Sequence, residues 1–419
     1  MSVLDHIQKS FIKKESIYGP DNYKPLPVVL SKAKGVWVWD ISEKKYLDMM
    51  SGYSAVSHGH AHPVLLKTFH DQSSRLSLTS RAFYTDTLGP YLETITQMTG
   101  FEMALPMNSG AEAVETAIKS SRRWAYRTKK VEENKAEIIV AEGNFHGRTT
   151  TIISFSTDEN SRKDFGPHTP GFVAVEYGSS KAIEDAITPN TAAVIIEPIQ
   201  GEGGIIVPPD NYLNEVRAIC TKHNVLMILD EIQSGLGRTG KLFAYQHSCG
   251  QCSCGENLCE VQPDGLILGK ALGGGFMPVS VFLSSEEVLG WMDPGSHGST
   301  FGGNPLASAL AKRSLELLYE ENLIENSRVM GDYFKEQLTV LDSELIVEIR
   351  GMGLWLGVEI DQKYISGNEL SKTLLEAGIL CKETHENTIR FAPPLVVTKE
   401  ELDWGIEKIA KVFSEVTKS

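Results

Sequence analysis

Lys270 stands just past the apolar run Leu266-Ile267-Leu268-Gly269 and just before Ala271-Leu272-Gly273-Gly274-Gly275. This spacing predicts an amine at the end of a buried strand, followed by a pliable loop. Buried lysines are uncommon without a partner, and desolvation leaves more of the neutral amine that condenses with an aldehyde. A surface lysine in a turn fits the same local pattern. Two acids occupy comparable places: Asp230 ends Val225-Leu226-Met227-Ile228-Leu229, and Glu197 ends Val194-Ile195-Ile196. The carboxyl ends of strands in an open α/β sheet are where ligands bind. A carboxylate there must be paired or hydrogen-bonded, since desolvating a lone charge is costly, although a single such acid is often a helix cap. The third feature is Asn108-Ser109-Gly110-Ala111-Glu112, ahead of a helix whose apolar positions are Val114, Ala117, Ile118 and Ala125. Ser109 and Glu112 have capping-box spacing. Gly110 lets a ligand approach the backbone, and free amides at the positive end of the helix dipole form an anion site; a well-capped structural helix reads the same way. Taken together, anion cup, strand-end carboxylate and strand-end amine are what pyridoxal phosphate (PLP) requires.

The elements that must position these groups follow from periodicity. Residues 35–40 and 45–49 alternate with period two around a polar turn and predict a hairpin near the start. From about residue 104, short β-branched runs alternate with amphipathic helices: Glu137 to Ala141, Phe172 to Glu176, Ala192 to Glu197, Val225 to Asp230 and Gly265 to Leu268. That alternation predicts a mostly parallel sheet covered by helices on both faces. Beyond Pro305 a helix-rich stretch runs to about Leu341, followed by strands at Ile346 to Arg350, Leu354 to Ile360 and Thr388 to Phe391. The expected organisation is a large α/β domain over residues 63–318, with a smaller α+β domain drawn from both termini, 1–62 and 319–419. Gly235-Leu236-Gly237-Arg238-Thr239-Gly240 matches GxGxxG. It does not open a long helix after a first strand, as a dinucleotide site demands, so it reads as a structural loop.

Composition narrows the function class. The chain has 419 residues, and its 54 acids against 40 Lys plus Arg give a formal charge of −14, a poor match to a nucleic-acid backbone. No apolar run approaches the roughly 18 residues that span a bilayer. The first fifteen residues resemble neither a secretory signal nor a transit peptide, which predicts a cytoplasmic enzyme. Four of the six cysteines, Cys249, Cys252, Cys254 and Cys259, cluster. They read as a zinc site with His247, a redox-sensitive dithiol, or free surface thiols.

Longer segments carry a resemblance. Leu105-Pro106-Met107-Asn108-Ser109-Gly110-Ala111-Glu112, Asn144-Phe145-His146-Gly147-Arg148-Thr149, Glu197-Pro198-Ile199-Gln200-Gly201-Glu202, Leu229-Asp230-Glu231-Ile232-Gln233, Leu268-Gly269-Lys270-Ala271-Leu272, His297-Gly298-Ser299-Thr300-Phe301-Gly302-Gly303-Asn304-Pro305 and Ile389-Arg390-Phe391-Ala392-Pro393-Pro394-Leu395 stand out, as do 22–27 and 51–56. Over nearly its whole length the chain resembles the class III, ornithine aminotransferase-like family of PLP enzymes of fold type I. The resemblance implies that Lys270 joins the cofactor's aldehyde and later shuttles a proton. It implies that Asp230 pairs with the ring nitrogen, Gln233 with the phenolic oxygen, and Phe145 and Ile232 with the two ring faces. Ser109, Gly110 and Ala111 would cup the phosphate, and Ser299 and Thr300 would reach the neighbouring subunit's cofactor, so a homodimer with shared sites is implied. Tyr23, Tyr53, Arg148, Glu202 and Arg390 would select substrates: Glu202 pairs with Arg390 while the ω-amine enters, and Arg390 is released to hold 2-oxoglutarate.

The implied reaction moves the δ-amino group of L-ornithine to 2-oxoglutarate. Other ω-aminotransferases, acting on acetylornithine, 4-aminobutyrate or lysine, remain open, and Glu202-Gly203-Gly204 leans toward acetylornithine. A glutamate-semialdehyde aminomutase and a non-catalytic cofactor-binding or metal-sensing protein remain open as well. The cysteine segment 247–259 departs from the family pattern and reads as an insertion.

Overall fold

The computed structural model describes residues 3–249, 260–341, 343–385 and 387–418. Cys252, Cys254 and Cys259, named above as ligand or thiol candidates, lie outside the described residues; Cys249, at the boundary, is buried.

An N-terminal meander comprises β1 (Leu30–Lys34), β2 (Trp37–Asp40) and β3 (Lys45–Asp48). The large sheet follows, from β4 (Met103–Met107), β5 (Glu137–Ala141), β6 (Phe172–Val175), β7 (Thr191–Ile196), β8 (Leu226–Asp230), β9 (Gly265–Leu268) and β10 (Ser280–Ser284). The C-terminal part adds β11 (Ile346–Met352), β12 (Trp355–Ile360), β13 (Ile379–Leu380), β14 (Lys382–Thr384) and β15 (Thr388–Phe391). The large sheet has the order β4-β10-β9-β8-β7-β5-β6. Its strands β5 to β9 run parallel, while β10 is antiparallel to both β9 and β4. The two smaller sheets have orders β1-β2-β3-β13 and β11-β12-β15-β14, so the first is closed by a strand from the other end of the chain.

Successive residues of a strand face opposite sides, and β7 shows the result. Val194 and Ile196 join one core cluster while Ala193 and Ile195 join another on the opposite face. Burial on both faces explains why these strands read as unbroken apolar runs. Helix Gly110–Trp124 covers the second face with Ala113, Val114, Ala117 and Ile118, the spacing of one helical stripe. Its start is the expected capping box: Ser109 Oγ accepts from Glu112 N at 3.2 Å, and the Glu112 carboxylate accepts from Ser109 N at 2.7 Å. The GxGxxG stretch is a buried loop without a following long helix. Among the described residues no helix is long and apolar enough to cross a membrane, and no group of three or more His, Cys, Asp or Glu is placed to hold a metal ion.

Candidate active site

The carboxyl ends of β4, β5, β7, β8 and β9 all lie along one edge of the large sheet, because β4 and β9 are both antiparallel to the strand between them. Each contributes one piece of a cavity of about 180 Å³ lined by Gly110, Phe145, Glu197, Asp230, Gln233 and Lys270, among others. This is where open α/β sheets gather ligands.

Lys270 follows β9 through Gly269 and has φ of 45°, a left-handed conformation that a lysine rarely adopts. Its Nζ donates to Gln233 Oε1 at 2.9 Å. Burial pulls its pKa down to about 8, against the attraction of Glu202. An ordinary lysine titrates near 10.4, so at pH 8 the neutral fraction at Lys270 is about a hundredfold larger. Carbamylation of the ligand-free protein by cyanate, followed by mass spectrometry, should therefore label Lys270 with a midpoint near pH 8. A midpoint above 10 would show the amine to be ordinarily solvated.

Asp230 is 4% exposed. One oxygen accepts from Ile232 N at 3.0 Å and the other lies 2.7 Å from His146 Nδ1. Burial works against a charged His146, but the bonded Asp230 carboxylate outweighs it and raises the imidazole's pKa. Glu197 is pushed up to about 7 by burial, opposed by His146 and by the amides of Phe145 and Gly201, which donate at 3.0 and 3.2 Å.

The residues present fit the cofactor that the resemblance implies. Gln233 Nε2 is buried without a partner among the described residues, an unusual cost unless a ligand accepts from it. At Gly110 a Cβ would come within 2.8 Å of Ile232 Cδ1, so only glycine leaves the Ile232 side chain its place over the cavity. The first amides of helix Gly110–Trp124 supply donors without intrahelical acceptors.

Arg390, on β15, is 3% exposed and donates to Glu202 Oε1 at 2.6 Å. Burial raises the proton affinity of Glu202, but Arg390 offsets it, so the carboxyl is held below its usual range. The ring of Tyr53 lies 4.8 Å from the Arg390 guanidinium carbon, and Arg148 lies 5.6 Å from the Phe145 ring. Tyr23, largely exposed, lines with Tyr53 a wider cavity of about 890 Å³. Ser299 Oγ accepts from Asn108 Nδ2 at 2.8 Å, near the Ser109 cup, and Thr300 is exposed.

Nothing in the sequence singles out His146, although its ring nitrogen lies 2.7 Å from the Asp230 carboxylate. It sits 84 residues away in the chain, and no local spacing signals such a pair.

The profile of the aminotransferase class-III family matches residues 18–413. An ornithine aminotransferase of Brevibacillus brevis is 53% identical over 402 residues, 96% of this chain and 97% of the relative. An ornithine aminotransferase structure from Toxoplasma gondii, with partial PLP occupancy at the active site, superposes with a TM-score of 0.94 at 42% identity, covering 98% of this chain and 95% of that one. An acetylornithine aminotransferase from Elizabethkingia anophelis superposes with a TM-score of 0.86 at 43% identity, covering 97% of this chain and 99% of that one.

Proposed function

Because this chain belongs to the class III aminotransferase family, a group of fold type I enzymes, we propose that it is a PLP-dependent ornithine δ-aminotransferase. It passes the δ-amino group of L-ornithine to 2-oxoglutarate and yields glutamate 5-semialdehyde, which cyclises to pyrroline-5-carboxylate, and glutamate. The observation that carries this reading is the pair of buried Arg390 and half-buried Glu202 among residues that feel the charge of Lys270. A transaminase must admit an uncharged or cationic amine end and then a dicarboxylic oxo acid at one place. A guanidinium holds a carboxylate through its planar fork, and a resident glutamate masks it while the amine is bound.

When bound, PLP supplies an aldehyde that exchanges imine partners and a ring that takes up the electron pair left by a departing proton. Lys270 provides the amine that anchors the cofactor and, once free, moves a proton at the substrate carbon. Asp230, backed by His146, holds the ring nitrogen's proton. Gln233 donates through its otherwise unpartnered Nε2 to the phenolic oxygen, while Phe145 and Ile232 flank the ring. Ser109, Gly110 and Ala111 bind the phosphate at the helix start. Arg148 and Tyr23 grip the α-amino acid end of ornithine, and Tyr53 favours ornithine over 4-aminobutyrate. The active form is a homodimer in the cytoplasm: exposed Thr300, with Ser299, reaches the partner's phosphate.

A panel of amino donors with 2-oxoglutarate tests the assignment, ornithine being expected to lead. Acetylornithine is the second reading, favoured by the similarity to the Elizabethkingia anophelis enzyme and by Glu202-Gly203-Gly204; a tenfold preference for it would displace ornithine. In Tyr53→Ile, loss of a polar partner costs about 1–3 kcal/mol. Ornithine kcat/KM should fall roughly tenfold to a hundredfold, with 4-aminobutyrate relatively favoured and the 2-oxoglutarate half-reaction less affected. Equal losses in both half-reactions would remove Tyr53 from donor selection.

A further inference from the structure

Four consecutive residues, Ser51, Gly52, Tyr53 and Ser54, have φ of 47, 55, 58 and 70°. With ψ of 45° at Gly52 and 44° at Tyr53, they form one turn of left-handed helix. L-residues visit this region singly, since Cβ crowds the following carbonyl oxygen; only Gly52 escapes that penalty. A run of this kind persists where its surroundings over-determine it.

The surroundings are specific at both ends. Asp48, 4% exposed, uses one oxygen to accept from Met50 N at 2.8 Å and Ser51 N at 2.9 Å. Its other oxygen accepts from His60 Nε2 at 2.7 Å. Beyond the turn, Ser57 Oγ donates to Ser54 O at 3.0 Å. Ser57 Oγ in turn accepts at 3.0 Å from Nη2 of Arg238, the wholly buried arginine of the GxGxxG loop. The turn carries Tyr53, whose ring rests against Arg390.

We propose that Asp48 is a positioning residue for substrate discrimination: it pins the entry of the left-handed turn and thereby sets Tyr53 against Arg390. Both of its oxygens are engaged by the protein, so it acts through Tyr53 and not on substrate. The inference rests on the role given to Tyr53 and Arg390 above. Without the two hydrogen bonds at its entry, the chain relaxes toward right-handed or extended conformations, which point the Tyr53 side chain elsewhere.

The test is a double-mutant cycle on the holoenzyme, read as the ratio of kcat/KM in the ornithine and 2-oxoglutarate half-reactions. Asp48→Ala should shift this ratio in the same direction as Tyr53→Ala, which removes the ring without placing a β-branched residue in left-handed backbone, by about tenfold, yet by less than about threefold in the Tyr53→Ala background, since coupled residues are non-additive. Asp48→Asn keeps an oxygen for the two amides and should hold the ratio within about threefold of the unmodified enzyme. A purely structural Asp48 would give additive effects, which would overturn the proposal, as would an Asn variant as damaging as Ala. If Asp48→Ala does not fold, Asp48→Glu replaces it in the cycle: it keeps the carboxylate charge beside His60 but its longer side chain carries the oxygen away from the amides of Met50 and Ser51. A Tyr53→Ala enzyme with an unchanged ratio would overturn both the proposal and the donor-selection reading beneath it, whereas additivity would overturn the proposal alone.

Discussion

Lys270→Ala is expected to abolish turnover, with kcat reduced by about four orders of magnitude or more, because one amine serves as covalent anchor and as proton shuttle. The structure gives this amine the properties both tasks need. It stands at the strand edge in a strained left-handed conformation, hydrogen-bonded to Gln233, with its pKa lowered to about 8 by burial. Strain of that kind concentrates at functional sites. The purified enzyme should be yellow, and borohydride should fix the cofactor's mass on the peptide containing residue 270. The alanine variant should lose that adduct while keeping its fold by circular dichroism. Near-normal activity in Lys270→Ala would remove the cofactor assignment altogether.

Asp230→Asn is the second large effect. The amide preserves shape but removes the charge that stabilises a proton on the ring nitrogen, and it also withdraws the partner that raises the pKa of His146. Removing one preorganised electrostatic contact of this kind costs about a hundredfold to a thousandfold, and loss of a full buried charge extends the range toward ten-thousandfold, roughly 3–5 kcal/mol. Cofactor stoichiometry should stay near one per chain, held by the helix-start amides, while single-turnover rates collapse. A kcat within tenfold of the unmodified enzyme would place Asp230 outside the mechanism.

Much of this arrangement was legible in the residues. Strands buried on both faces announce themselves as continuous apolar runs, so the ends of β7, β8 and β9, and with them Glu197, Asp230 and Lys270, were locatable before any fold was known. The capping box at Ser109 and Glu112 was equally local. What escaped depends on distant partners. The reversed direction of β10 is set by its fit between β4 and β9, and the two residues of β13 are too few to carry a pattern. The His146–Asp230 contact has no local signature. The turn at Ser51–Ser54 was hidden because only one of its four residues is glycine, and serine and tyrosine give no hint of left-handed backbone.

The strand order also dictates a schedule of assembly. Among the described residues β4 is hydrogen-bonded in its sheet only to β10, so residues 103–107 wait for 280–284 to be synthesised. The N-terminal meander waits longer still, since β3 is joined by Ile379 and Leu380. The segment bearing Tyr53 waits longest: Ala392 N donates to Met49 O, and Leu395 N to Ser57 O, each at 2.7 Å. Non-local pairing of this kind is slow because loop closure precedes any reward. A nascent chain halted before Leu395 would hold every strand-end group of the large sheet and still lack the backing for the residue that reads the amino donor, so chemistry and selectivity mature at different moments in the life of one polypeptide.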